Sequence, residues 1–421
     1  MLLRLTLLLS LCATVFFLLP HRPVQGAVEN PAVENHLVGD AACVRCHAQV
    51  SGTYAHTSHH LTSQLPSRAT ILGSFQPPAN VLVISAPSGP ASSEEPRLSF
   101  KMEARTDGFY QTAQADLGEQ HLTRSERFDV VVGNGTRGQT YLYWKQDGLF
   151  ELPVSFWSTG SQWINSPGYR DGTANFARHV DARCLECHAT YAKALSADPQ
   201  SNTFDRASLR LGISCESCHG PGAEHVAVQS AGPVPGDRTI LNPARFPRDR
   251  QIDQCALCHN GTARQELAQA FSYVPGQELS RYLAPNGADQ ADSPDVHGNQ
   301  VGLLKRSACF RGSPAMTCST CHNTHAVEPT AAAASATCRQ CHRIQSCPEA
   351  VHQGKASAER CVACHMPMIE TNAIVSETAG RTIRTSIRTH WIKVYPAALE
   401  QGVKEPGQTA PSPPSLGPSR P

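Results

Sequence analysis

A mainly α-helical and irregular chain, with a small antiparallel β domain inserted and a core supplied by something other than apolar side chains, is the architecture this sequence implies. Three observations carry that expectation. One five-residue pattern, Cys-x-x-Cys-His, occurs seven times: CVRCH (43–47), CLECH (184–188), CESCH (215–219), CALCH (255–259), CSTCH (318–322), CRQCH (338–342) and CVACH (361–365). Only 6% of the 421 residues are aromatic, and the six clustered copies leave about 30 residues of chain for each, too little to bury a sizeable apolar core. Residues 70–165, by contrast, contain no cysteine and alternate apolar with polar residues in short runs.

The pentapeptide is the attachment pattern of a c-type haem. Its two thiols add to the two vinyl groups, and the adjoining histidine is held under the iron. Zinc or disulfides are the alternatives for paired cysteines, but here a histidine follows the second cysteine in every copy. The sequence therefore predicts seven covalently bound haems c with their iron. Their attachment residues are Cys43, Cys46, Cys184, Cys187, Cys215, Cys218, Cys255, Cys258, Cys318, Cys321, Cys338, Cys341, Cys361 and Cys364. Their proximal ligands are His47, His188, His219, His259, His322, His342 and His365. These motifs use fourteen of the seventeen cysteines. Cys12 falls in the leader, and Cys309 and Cys347 remain, either paired with each other or as free thiols. With porphyrins as its core, the chain should be haem-packed and should need haem insertion to fold.

A formal charge of +1 gives no electrostatic case for nucleic acid. The basic residues are 29 Arg and 7 Lys. Arginine suits the planar carboxylates of haem propionates; an arginine-rich codon bias is the bland alternative. Propionates should make the loaded protein acidic.

Taken in order, residues 1–26 read as a signal peptide. Arg4 precedes an apolar run from Leu5 to Leu19, with cleavage expected before Ala27. That run falls short of the ~20 residues that span a bilayer, although an uncleaved anchor is the alternative. No later stretch is long and apolar enough, so an exported, periplasmic or otherwise extracytoplasmic protein with no transmembrane segment in the mature chain is expected. Residues 38–69 form an N-terminal single-haem segment, helical around Ala48 to Tyr54. Among its His56, His59 and His60, His59 is favoured as a ligand. Residues 70–165 form a β-rich insert of five to seven strands, with turns at Asn134-Gly135 and Asp147-Gly148, serving as a haem cover or docking face. Residues 161–172 lead back as a loop into a six-haem core over 173–395. Within that core, RQELAQAFSYV is helical only in part and the surroundings of His297 are loop-like. Residues 396–421 read as a disordered, Pro-rich tail.

The remaining histidines carry the second half of the reading. His325 lies three residues after His322, and His225 six after His219. Spans so short cannot wrap round a porphyrin rim, so each, if a ligand, must serve a neighbouring haem. Gly220, Pro221 and Gly222 supply the turn. Such crossing would bring haems into contact and create a continuous electron path.

The strings GISCESCHGPGAEH, SACFRGSPAMTCSTCHNTH, CVACHMPM and THWI resemble the multihaem cytochrome c family that contains the nitrifier tetrahaem cytochrome c. FDVVVGNGTRGQTYLYWKQDGLFELPVSFW resembles the β insert of its larger bacterial members. The similarity spans roughly 38–395. It implies a mostly helical, haem-packed fold and distal-ligand roles for His225, His297, His325, His352, His390 and a residue at the position of His59. Repeats that follow THWI in some members are not expected here, so partner binding through repeats is not carried over. The seventh distal ligand has no family counterpart. Supply alone points to His179, with His36, His56, His60 and His121 as weaker alternatives.

Two functions compete. An electron relay needs only saturated bis-His haems, whose potentials lie below those of His/Met haems. An oxidoreductase acting on small nitrogen or sulfur compounds needs one open iron. Seven standard motifs favour the relay, and no catalytic residue is assigned. Redox donor and acceptor proteins are the expected partners, with peripheral association to membrane redox complexes a further expectation. A haem-bearing docking module is the bland third reading.

Overall fold

The computed structural model describes residues 37–84, 97–117, 119–232, 234–261, 265–285, 298–353 and 359–396. The leader, His36, His297 and the Pro-rich tail beyond Pro396 lie outside the described residues, as does the side chain of His352. No helix among them is long and apolar enough to cross a membrane.

The chain opens with helix α1 (Asp40–Tyr54) and the short strand β1 (Ser63–Gln64). A run of strands follows: β2 (Val81–Ile84), β3 (Arg97–Arg105), β4 (Gly108–Leu117), β5 (Gln120–Arg127), β6 (Val130–Val132), β7 (Gly138–Lys145), β8 (Gly148–Glu151), β9 (Val154–Trp157), β10 (Gln162–Asn165) and β11 (Arg178–His179). Helix α2 (Ala182–Glu186) leads into the hairpin β12 (Ala189–Ala194) and β13 (Phe204–Leu211). Helices α3 (Cys215–His219), α4 (Ala223–Ala231), α5 (Arg248–His259), α6 (Gln300–Lys305), α7 (Ala308–Gly312), α8 (Ala331–Cys338), α9 (Pro348–Gln353) and α10 (Cys361–His365) come next, then the hairpin β14 (Met368–Thr378) and β15 (Arg381–Arg388).

This corrects the expectation of a mainly α fold. About 28% of the described residues are helical and 29% are strand. The physical reason lies in the motifs. One helical turn suffices to present Cys-x-x-Cys-His, and α2, α3 and α10 are five residues each. Side-chain caps start such turns: Asp181 accepts the Cys184 N–H at 2.9 Å and Ser214 accepts that of Glu216 at 3.2 Å. Between motifs the chain runs as hairpins. β12–β13 joins the second motif to the third, and β14–β15 joins the seventh to THWI.

The strands of the insert form two sheets. One runs β2-β3-β4-β5; the other runs β1-β6-β7-β8-β11, with β9 on β7 and β10 on β9. The period of two along β7 separates the two sides of the larger sheet. Tyr141 and Tyr143 enter a core with Phe100, Phe128, Phe156 and Trp163 between the sheets, while Leu142 packs with Leu149, Leu185 and Phe204 on the opposite side. That second cluster joins the sheet to the motif of Cys184. Gln111 ties β4 to β9: fully buried, it donates to the Val154 carbonyl at 3.1 Å and accepts the Val154 N–H at 2.9 Å. Strand β5 falls outside the alternating runs because its side chains are exposed for most of its length, as befits an edge.

The insert is fastened to the haem-motif region at three places. β1 pairs with β6, and β11 with β8. The β14–β15 hairpin grips the far end: Thr378 Oγ1 accepts the Asn165 N–H at 2.9 Å, and the Val375 carbonyl accepts that of Gly168 at 3.0 Å. The N-terminal segment also packs inward. Tyr54 donates to the Ile213 carbonyl at 2.6 Å, and Gly212, at φ +71°, lies where a Cβ would stand 2.3 Å from the His60 carbonyl oxygen. Only glycine fits that approach.

Candidate haem sites

Four histidine pairs stand out. His47 and His225 face each other with ring centroids 6.4 Å apart and planes 20° from parallel. His219 and His325 are 6.0 Å apart at 24°, and His322 and His390 are 6.0 Å apart at 26°. His59 and His259 are 6.1 Å apart at 74°. Two imidazoles that hold one metal from opposite sides, through bonds of about 2.0–2.1 Å, have centroids about 6.3 Å apart. The four separations fit an iron between each pair, and thus fit haem c at the adjoining thiols. Each pair joins the histidine of one motif to a histidine from elsewhere in the chain. His225 lies against His47 rather than His219, and His325 against His219 rather than His322.

The other ring nitrogen is held in three of these residues, and in His365 and His188 as well. His225 Nδ1 is 2.6 Å from the Asp237 carboxylate, and His322 Nδ1 is 3.0 Å from both oxygens of Glu328. His219 Nδ1 donates to the Leu241 carbonyl at 2.8 Å, and His365 Nδ1 to that of Lys393 at 2.9 Å. Thr62 Oγ1 lies 3.0 Å from His188 Nδ1. An acceptor on Nδ1 fixes the tautomer and orients Nε2 as a metal ligand. His390 has a longer 3.4 Å approach to the Arg388 carbonyl. Its segment is clamped instead by Ser307, whose hydroxyl donates to the His390 carbonyl at 3.0 Å and accepts the Ile392 N–H at 2.8 Å.

Burial lowers the pKa of three of the four distal rings. It pushes His390 down to about 4 and lowers His59 and His325 below the ordinary histidine range. Neutral imidazole is the form that binds a metal, so burial favours ligation. The Glu328 hydrogen bond raises His322 instead.

Thiols from different motifs also meet. Cys43 is in hydrogen-bond reach of Cys215, Cys187 of Cys258, and Cys255 of Cys318. Burial, with Cys361 nearby, pushes the Cys338 thiol up, and burial with Cys341 among its neighbours does the same to Cys321. A cavity of ≈ 200 Å³ between the second, third and fourth motifs is lined by Leu257, Phe271, Tyr273 and Pro275 beside Glu186 and Glu216. Cys309 lies near Cys321, and Cys347 near Cys364.

Other expected site residues are not brought to a pair. His179 is exposed on β11, its ring edge-on to Phe150 at 5.3 Å. His60 faces Asp40 at 3.5 Å, and exposed His121 meets Asp116 at 2.6 Å. Sequence reasoning missed Asp237, Glu328, Ser307 and Glu216, each of which orients a ring or the segment bearing one. Glu216 sits at a variable position inside a motif and the other three stand at no fixed spacing from one, so only folding identifies them.

The family model for cytochrome c554 and c-prime matches residues 164–220, which hold the second and third motifs. Two polyhaem cytochromes of Geobacter sulfurreducens, OmcC and OmcB, are each 25% identical, over 36% and 41% of this chain. The matched region covers 21% of either relative's length, so the chain spans about a fifth of them. Among solved structures, the outer cell wall cytochrome OcwA shares the fold with a TM-score of 0.51 and 16% identity, covering 87% of this chain and 81% of that one. The seven motifs and these matches together support a multihaem cytochrome c family for this chain, with covalently bound haem c.

Proposed function

We propose that the chain is an exported heptahaem c-type cytochrome that relays electrons between protein partners through closely packed bis-His haems. The four ring pairs carry this reading. Bound haem supplies one-electron chemistry at an iron whose ligands need not change. The protein's part is to hold both axial rings in place. Nδ1 acceptors orient His219, His225 and His322, and burial keeps His59, His325 and His390 neutral. Because His225 and His325 reach past their own motifs, the chain threads one site into the next, and the thiol contacts put neighbouring attachment points side by side. His297, His352 and His179 complete the proposed distal set. The units 38–69, 70–165 and 173–395 are proposed as its N-terminal haem segment, β cover and six-haem core. An extracytoplasmic place is proposed from the leader, and OcwA is by its name an outer cell wall protein.

Intact mass of the exported protein should show seven haems, and carbon monoxide should leave the spectrum of the reduced protein nearly unchanged. Five or fewer haems would overturn the count. Stoichiometric carbon monoxide binding at one haem, with turnover of nitrite or hydroxylamine, would replace the relay with an enzyme.

A further inference from the structure

We infer that Glu216 is the positioning residue of the axial pair at the first haem. From inside another haem's motif, its carboxylate holds the two segments that present His47 and His225. The inference rests on the ring-pair reading above.

Glu216 is 5% exposed. Its Oε1 accepts the Val38 N–H at 2.9 Å and the Gly222 N–H at 2.9 Å, and its Oε2 accepts the Gly39 N–H at 2.8 Å. Val38 and Gly39 enter α1, which carries His47. Gly222 is the N-cap of α4, which carries His225. One carboxylate thus sits at the start of both helices whose rings face each other at 6.4 Å. Neither start has a side-chain cap of its own, so Glu216 supplies the acceptor that each lacks. Negative charge is favoured there, and charge-assisted bonds to N–H groups are the strong ones. The tie is reciprocal: Asp40 Oδ1, at the first turn of α1, accepts the Cys215 N–H at 3.1 Å.

The motif at Cys215 and Cys218 thereby does two jobs. It attaches one haem, and its second residue fixes the ligands of another. Coordination of the first haem depends on folding of the third motif, although 168 residues separate Cys46 from Cys215 in the sequence.

The test compares haem-loaded Glu216→Ala, Glu216→Gln and His225→Ala proteins by haem content, the high-spin signal in electron paramagnetic resonance, and carbon monoxide bound by the reduced form. Glu216→Ala should keep the parent haem content and gain about one carbon monoxide-binding, high-spin haem per protein. Glu216→Gln should recover most of the low-spin signal, because its carbonyl can still accept from Val38 and Gly222. His225→Ala should give the same one-haem signature. If His225→Ala lacks it, the ring-pair reading fails; if His225→Ala shows it and Glu216→Ala does not, the Glu216 inference fails alone. Should Glu216→Ala not accumulate, Val38→Pro removes one donor outside the motif. It should show a smaller high-spin fraction, and a Val38→Pro protein with none would overturn the inference.

Discussion

Between Ile71 and Phe176 the chain buries Phe100, Phe128, Tyr141, Tyr143 and Trp163 in one continuous cluster. Between Ser313 and His365 the buried apolar side chains among the described residues are Val362 and Ala363. The β insert has a core of its own, and the region of the fifth to seventh motifs does not. The contrast divides the molecule by what makes it fold. The insert follows side-chain periodicity and apolar burial, near 25 cal/mol for each Å² removed from water. Unlike the fourth motif, which packs Ile252, Leu279, Leu283, Val301 and Phe310 together, the region of the fifth to seventh motifs has little apolar surface to bury, so its stability must come from the porphyrins.

Blocking haem attachment tests that division with the largest effect. In protein made without c-haem maturation, amides of β3, β4, β6 and β7 should stay protected from hydrogen exchange, while those of α8, α10 and residues 313–330 should exchange fully. Uniform protection or uniform loss would erase the distinction. Phe128→Ala probes the other side. Fully buried and stacked on Tyr141 at 4.5 Å, Phe128 should cost about 3–5 kcal/mol of insert stability when truncated. The haem spectrum should not change, and loss of low-spin signal would show that the haem region leans on the insert core.

A smaller effect is set by pH. Burial raises Glu151 to about 7, against the opposing pull of Arg178 at 3.1 Å. A carboxyl with a folded value above its unfolded one binds more protons in the native state, so its stability contribution is full below the unfolded value, near 4.5. The contribution is lost as pH rises towards 7, by about 1–3 kcal/mol. Denaturant unfolding at pH 5 and pH 8 should show this fall in the parent and a weaker one in Glu151→Gln. Equal slopes would remove Glu151 as the cause.

Residues following a fixed local code were legible in the sequence. The seven motifs show themselves by spacing, and β3, β4 and β7 by alternation. The balance of helix and strand was not, because the expectation took haem packing to mean helix, whereas motif helices of five residues leave room for hairpins such as β14–β15. The crossing of His225 and His325 could be argued from chain length alone, since three or six residues cannot round a porphyrin. What length could not supply was the destination. That depends on Glu216, Asp40 and Gly212 docking the N-terminal segment against the third motif, through contacts up to 178 residues apart in sequence.

The central claim is that a motif histidine and a histidine from elsewhere in the chain meet across one iron. An experimental structure of the haem-loaded protein measures it directly, through iron–nitrogen distances. The account predicts His225 Nε2 about 2.0–2.1 Å from the iron of the haem on Cys43 and Cys46, and His325 Nε2 at the same distance from that on Cys215 and Cys218. Either histidine bound to the haem of its own adjoining motif, or turned to solvent, would contradict it.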